Sequence, residues 1–205
     1  MQNMPIRQIK FGISFYVCVV LFLFLLPIQI VLGWLISIVV HEMSHYVALR
    51  IFRIPIYNMV IKWNGVFIET GTMTFLQEFA SAISGPMGGA TLVLLGRWMP
   101  YTAICALIHT TYNLLPIFPL DGGRALRAAA CYLLGGTKGL KLSVITGYVF
   151  IIGLIIACIY LFITTEIGPL SLLLALIILL RTQTENLLKC NVKNSTINEN
   201  AVKRR

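Results

Sequence analysis

The sequence predicts an all-α polytopic membrane protein with about six transmembrane helices and a short membrane-associated β-hairpin between the second and third. Three observations carry this. First, 58% of the 205 residues are hydrophobic and only 11% charged, with a mean hydropathy of +0.87, where a soluble domain carries roughly a quarter charged residues. Second, the apolar residues fall into runs long enough for about six spans at ~20 residues each. Third, Asn64-Gly65 stands between two β-prone runs, the strongest short hairpin signal.

Spans are expected near 11–26, 29–51, 76–96, 101–118, 142–163 and 168–181. Pro27 separates the first pair, Arg97-Trp98-Met99-Pro100 the third and fourth, and Thr164 to Pro169 the last two. Arg7 and Lys10 precede the first run without a small-residue cleavage site, so it reads as a retained span rather than a removed signal. Residues 1–184 are expected to form a single transmembrane domain, and 185–205 a polar, loose cytoplasmic tail. No repeat of fixed period is visible.

The formal charge of +9 is distributed by topology, in short clusters between apolar runs, and does not indicate nucleic acid. With a cytoplasmic N-terminus, fifteen of the sixteen basic residues lie inside and only Arg97 outside. The positive-inside rule therefore predicts a multi-pass protein of the cell membrane with both termini cytoplasmic. The five cysteines, Cys18, Cys105, Cys131, Cys158 and Cys190, show no CxxC spacing and no disulfide framework.

Within the second run stands His41-Glu42-Met43-Ser44-His45. Histidines at i and i+4 of a helix project from one face, as two nitrogen ligands of a zinc ion must. Glu42 is the residue type needed to take a proton from a water that zinc activates. Ionisable groups are expensive in a membrane, so their presence points to function. His45 precedes Arg53 by eight residues and so is expected roughly 12 Å inside the cytoplasmic boundary.

The fourth run also returns to the cytoplasm and ends in Leu114-Leu115-Pro116-Ile117-Phe118-Pro119-Leu120-Asp121-Gly122-Gly123-Arg124. Asp121, the only aspartate, thus arrives on the side of the two histidines. Pro116 and Pro119 interrupt a helix, and the glycines allow sharp backbone. Such backbone at membrane depth survives only where protein or a watered cavity covers it. A carboxylate presented there would complete a His-His-Asp zinc site with one position open for water. The plainer alternative is that Asp121 caps the next helix or pairs with Arg124.

His41-Glu42-Met43-Ser44-His45 together with Asn113-Leu114-Leu115-Pro116-Ile117-Phe118-Pro119-Leu120-Asp121-Gly122-Gly123 resembles the paired HExxH and NxxPxxPLDGG signatures of the site-2 (M50) intramembrane metalloproteases. The resemblance is particularly to the bacterial branch that processes sporulation transcription-factor precursors. Ser81-Ala82-Ile83-Ser84-Gly85-Pro86 is similar to the element of small residues, Gly and Pro in that family's third core span, and the likeness covers about residues 30–130. It implies one Zn2+ per chain held by His41, His45 and Asp121, Glu42 as general base, and Asn113 positioning substrate or stabilising the oxyanion. It implies a transmembrane or membrane-associated protein substrate. Ser44 departs from the Gly of many members but is also small, and 205 residues leave no room for a PDZ or CBS-type regulatory domain, so any regulator would be a separate membrane protein.

Two further features are open at this level. His109 lies one turn before Asn113 and one after Cys105. It is a candidate alternative third ligand, an outer partner of the site, or a residue bonded to a neighbouring span. In the hairpin, Tyr57, Met59, Ile61, Val66 and Ile68 are candidates for an edge that pairs with an extended substrate, against an interfacial hairpin that only covers the site. A metal or ion transporter and a silent scaffold are the rival functions. The clustering of ionisable groups argues against the first, and a buried base that binds no metal against the second.

Overall fold

The computed structural model describes residues 8–62 and 65–164. The expected sixth span at 168–181 and the tail at 185–205 lie outside them, as does the Asn64 of the hairpin turn. The described chain is mostly helical, and its residues cluster into two units, Met1–Leu114 and Leu115–Arg205.

The first unit opens with a short strand, β1 (Gln8–Phe11), followed at once by α1 (Ile13–Leu25) and then α2 (Ile28–Ile51). Pro27 stands at the N-cap of α2, where a missing N–H costs nothing. The buried positions of α2 include Gly33, Ser37, His41, His45 and Leu49, one every four residues, along a single i±4n row. Val39, Met43 and Val47, on another such row, are about half exposed. Polar groups inside and aliphatic groups outside is the inverse of a soluble helix and suits a lipid environment.

Arg53 ends α2 in the left-handed region (φ 55°). The Arg53 amide bonds to the Arg50 carbonyl (3.1 Å) and the Ile54 amide to that of Leu49 (3.0 Å). This is a Schellman turn built without glycine. Its apolar contact is present too, since Leu49 and Ile54 are buried together with Ile56.

The turn delivers the chain into β2 (Ile56–Lys62) and β3 (Gly65–Thr70), the expected hairpin, paired antiparallel with Met59 opposite Ile68 and Ile61 opposite Val66. β1 adds to β2 in parallel, with Ile9 opposite Met59, giving the order β1-β2-β3. The third strand was not expected. β2 is thus the central strand, so Tyr57, Met59 and Ile61 do not lie on an edge. Of the two hairpin strands only β3, with Val66 and Ile68, keeps one side open among the described residues.

α3 (Phe75–Leu94) starts at a full capping box, Thr74 and Gln77 each bonding the other's backbone. α4 (Pro100–Asn113) closes the unit, and α2, α3 and α4 pack on one another.

The second unit holds α5 (Asp121–Leu134) and α6 (Gly136–Thr164), packed together. The run expected at 101–118 is not one span: the α4 helix stops at Asn113, and a tight segment leads into α5, read in the sequence only as a connection. Here the Leu120 amide bonds to the Ile117 carbonyl (2.9 Å) and the Arg124 amide to that of Leu120 (2.9 Å).

Among the described residues two helices, α2 and α6, are long and apolar enough to cross a membrane. At 1.5 Å per residue they reach roughly 36 and 44 Å, more than a hydrocarbon core of ~30 Å. α1 and α4 are shorter, at 13 and 14 residues, and α3 carries Gln77 and Glu78 in its first turns.

Candidate metal centre

His41 and His45 are both buried, one turn apart on α2. Their Nε2 atoms face each other at 3.2 Å. A tetrahedral zinc with Zn–N bonds of ~2.0–2.1 Å separates two nitrogen ligands by roughly 3.3 Å. The pair is therefore spaced as two ligands of one ion.

The tautomer of His45 agrees. Its Nδ1 lies 2.7 Å from the Ser81 carbonyl of α3. A carbonyl only accepts, so Nδ1 carries the hydrogen and Nε2 offers its lone pair. The Ser84 hydroxyl donates to the same carbonyl at 2.7 Å and lies 3.3 Å from His45 Nδ1. α3 thus supplies the outer hydrogen bonds that orient a metal-binding imidazole.

Glycine makes this approach possible. A Cβ on Gly85 would collide with Nε2 of both His45 and His41. One on Gly88 would collide with the Ser44 hydroxyl, which donates to the Val40 carbonyl at 2.8 Å. Ser44 fits because the residue facing it has no side chain.

In the second unit Asp121 is the first residue of α5, where a carboxylate suits the helix dipole. It is buried, and Arg124 NH1 lies 3.3 Å from its Oδ1. The plainer expectation of an Arg124 pair thus holds. Phe118, in the preceding turn, stacks under Arg127 at 4.7 Å from its ring centroid. Gly123 lets the chain fold back, since a Cβ there would strike the Ile117 carbonyl and the Phe118 amide.

His41, His45 and Asp121, all three buried, are residues that could hold a metal ion. His109 does not belong to that group. It lies instead against His41, ring centroids 4.6 Å apart. Glu42 is half-buried on α2. Asn113 is buried at the end of α4, its Nδ2 donating to the His109 carbonyl at 3.0 Å.

The fold has a solved counterpart. The site-2 protease from Methanocaldococcus jannaschii superposes with a TM-score of 0.63 over 90% of this chain and 93% of its own, at 19% sequence identity. The chain shares that fold. No family model and no curated protein sequence matches it. The likeness therefore lies in three dimensions and in the short motifs, and with the two long apolar helices it points to a membrane protein. Sequence reasoning missed the outer partners Ser81 and Ser84, and only the small-Gly-Pro element hinted at them.

Proposed function

We propose that the chain is an intramembrane zinc metalloprotease that cleaves a peptide bond in or near a transmembrane or membrane-associated protein substrate. The observation that carries this reading is the 3.2 Å approach of two buried imidazole Nε2 atoms, and the motif resemblance adds the buried carboxylate of Asp121. Two nitrogens and one oxygen are the donor set of a catalytic zinc with an open position, and His41, His45 and Asp121 are its ligands. When bound, zinc supplies Lewis acidity toward the scissile carbonyl and lowers the pKa of water toward 7.

Glu42 is the general base, taking a proton from the attacking water and returning it to the leaving amine. Asn113, one turn beyond His109, is assigned to position the substrate or stabilise the developing oxyanion. Proteolysis needs extended backbone, and the open side of β3, with Val66 and Ile68, is where a substrate strand adds. The motif resemblance supports a place in the branch that processes sporulation-factor precursors. The charge distribution supports a multi-pass topology with cytoplasmic termini and a cytoplasm-proximal site. A transport role is disfavoured because the two histidine nitrogens face each other at one point rather than line a path.

The test is zinc content and cleavage of a co-expressed candidate substrate, with Glu42→Gln beside the wild type. The variant is expected to keep one zinc per chain and lose at least ~100-fold in cleavage. Undiminished cleavage would refute the mechanism.

A further inference from the structure

α2 and α4 run parallel. Against Gly33 of α2 lies the backbone of α4, where an added Cβ would sit 3.1 Å from Thr102 Cα. Nearby, the Cys105 thiol reaches the Ile30 carbonyl at 3.7 Å. Seven residues beyond Thr102 is His109, and eight beyond Gly33 is His41. Rises of roughly 10 and 12 Å along the two helices bring the rings to a similar level, and their centroids are 4.6 Å apart with planes tilted by 53°. The His109 Nδ1 lies 3.4 Å from the hydroxyl of Ser37, a fully buried residue one turn before His41.

An ionisable residue at this depth needs a reason. Its side chain is outside the ligand group, and the proteolytic steps assigned above make no use of it. We propose that His109 is a positioning residue for His41. Its ring, tethered by Ser37, is the wall against which the His41 imidazole is held in the plane that points Nε2 at the metal. α3 fixes His45 through the Ser81 carbonyl, and α4 fixes His41 through His109. The inference rests on the proposed metal site and adds to it a residue that sets metal affinity without binding metal.

The test is zinc affinity, by chelator competition on the full chain in detergent, together with the visible spectrum of the Co2+-loaded protein. His109→Ala is expected to bind one zinc per chain at saturation but about 10–100-fold more weakly, with an altered Co2+ spectrum. His109→Phe, which keeps the wall but loses the tether, falls between that variant and wild type. Ser37→Ala weakens binding in the wild type but by less than about threefold in the His109→Ala background, because its partner has gone. Ile108→Ala, on the exposed face of the same helix, changes neither readout.

Wild-type affinity in both His109 variants would overturn the proposal. So would complete loss of zinc at saturation in a folded His109 variant, which would make it a ligand, or a Ser37 effect of equal size in both backgrounds. If His109→Ala does not fold, His109→Phe and Ser37→Ala decide: wild-type affinity in both overturns it. Asp121→Ala, run in parallel, separates the two levels. Undiminished zinc affinity there would sink the ligand set itself, independently of how the His109 variants behave.

Discussion

The histidines and the aspartate come from segments of opposite character. His41 and His45 stand in the interior of a 24-residue helix, their spacing fixed by the helix repeat and their surroundings by α3 and α4. Asp121 stands at the first turn of a 14-residue helix, and its position depends on how the chain negotiates Leu114 to Leu120. The histidines thus stand inside regular structure. Asp121 stands at the very start of a helix, so its place is set by the irregular segment before it. The first should fail by collision and the second by displacement.

The largest effect should follow from Gly85→Ala. The added methyl would occupy the space of both Nε2 atoms, and His45 cannot swing aside without losing its 2.7 Å bond to the Ser81 carbonyl. Zinc binding and cleavage should both be abolished while the helices persist. The measurement is metal content beside helicity by circular dichroism. A variant that still binds one zinc tightly would show that the histidine half is less rigid than its packing implies.

Gly123→Ala should come next. Its Cβ would meet the backbone of Ile117 and Phe118, and backbone cannot move as a side-chain tip can. Overpacking of this kind costs about 1–3 kcal/mol. The turn should shift and carry Asp121 with it, weakening zinc binding without abolishing it, because the histidines are untouched. Chelator competition would read this. An effect as large as that of Gly85→Ala would erase the distinction between the two halves.

The same contrast explains what could be read in the sequence. α2 was legible because its pattern is local, and i, i+4 spacing on a long apolar run leaves few alternatives. The hairpin was legible for the same reason, through Asn64-Gly65 between β-prone runs. β1 was not: Gln8 to Phe11 looks like the flank of an apolar span, and its partners in β2 lie fifty residues away. α5 was missed because Asp121 to Leu134 is rich in Ala, Gly and Arg, too weakly apolar for a span. Pro116, Pro119 and the glycines announced a break but not where the helix resumed. The ligands themselves could be named because their chemistry, unlike the path between them, is written in residue types.

Arg124→Gln should have the smallest effect, and two opposing terms decide it. The guanidinium orients the Asp121 carboxylate, which favours metal binding, yet it also places a positive charge near a cation site, which opposes it. The contact is long at 3.3 Å, and the Arg124 side chain is 28% exposed, so water screens both terms. Neither can be large, and they differ in sign. Zinc affinity should change less than about fivefold, and in a titration of folded protein the stoichiometry should remain one. A loss beyond tenfold would show that the ion pair, rather than the turn held by Gly123, is what places the carboxylate.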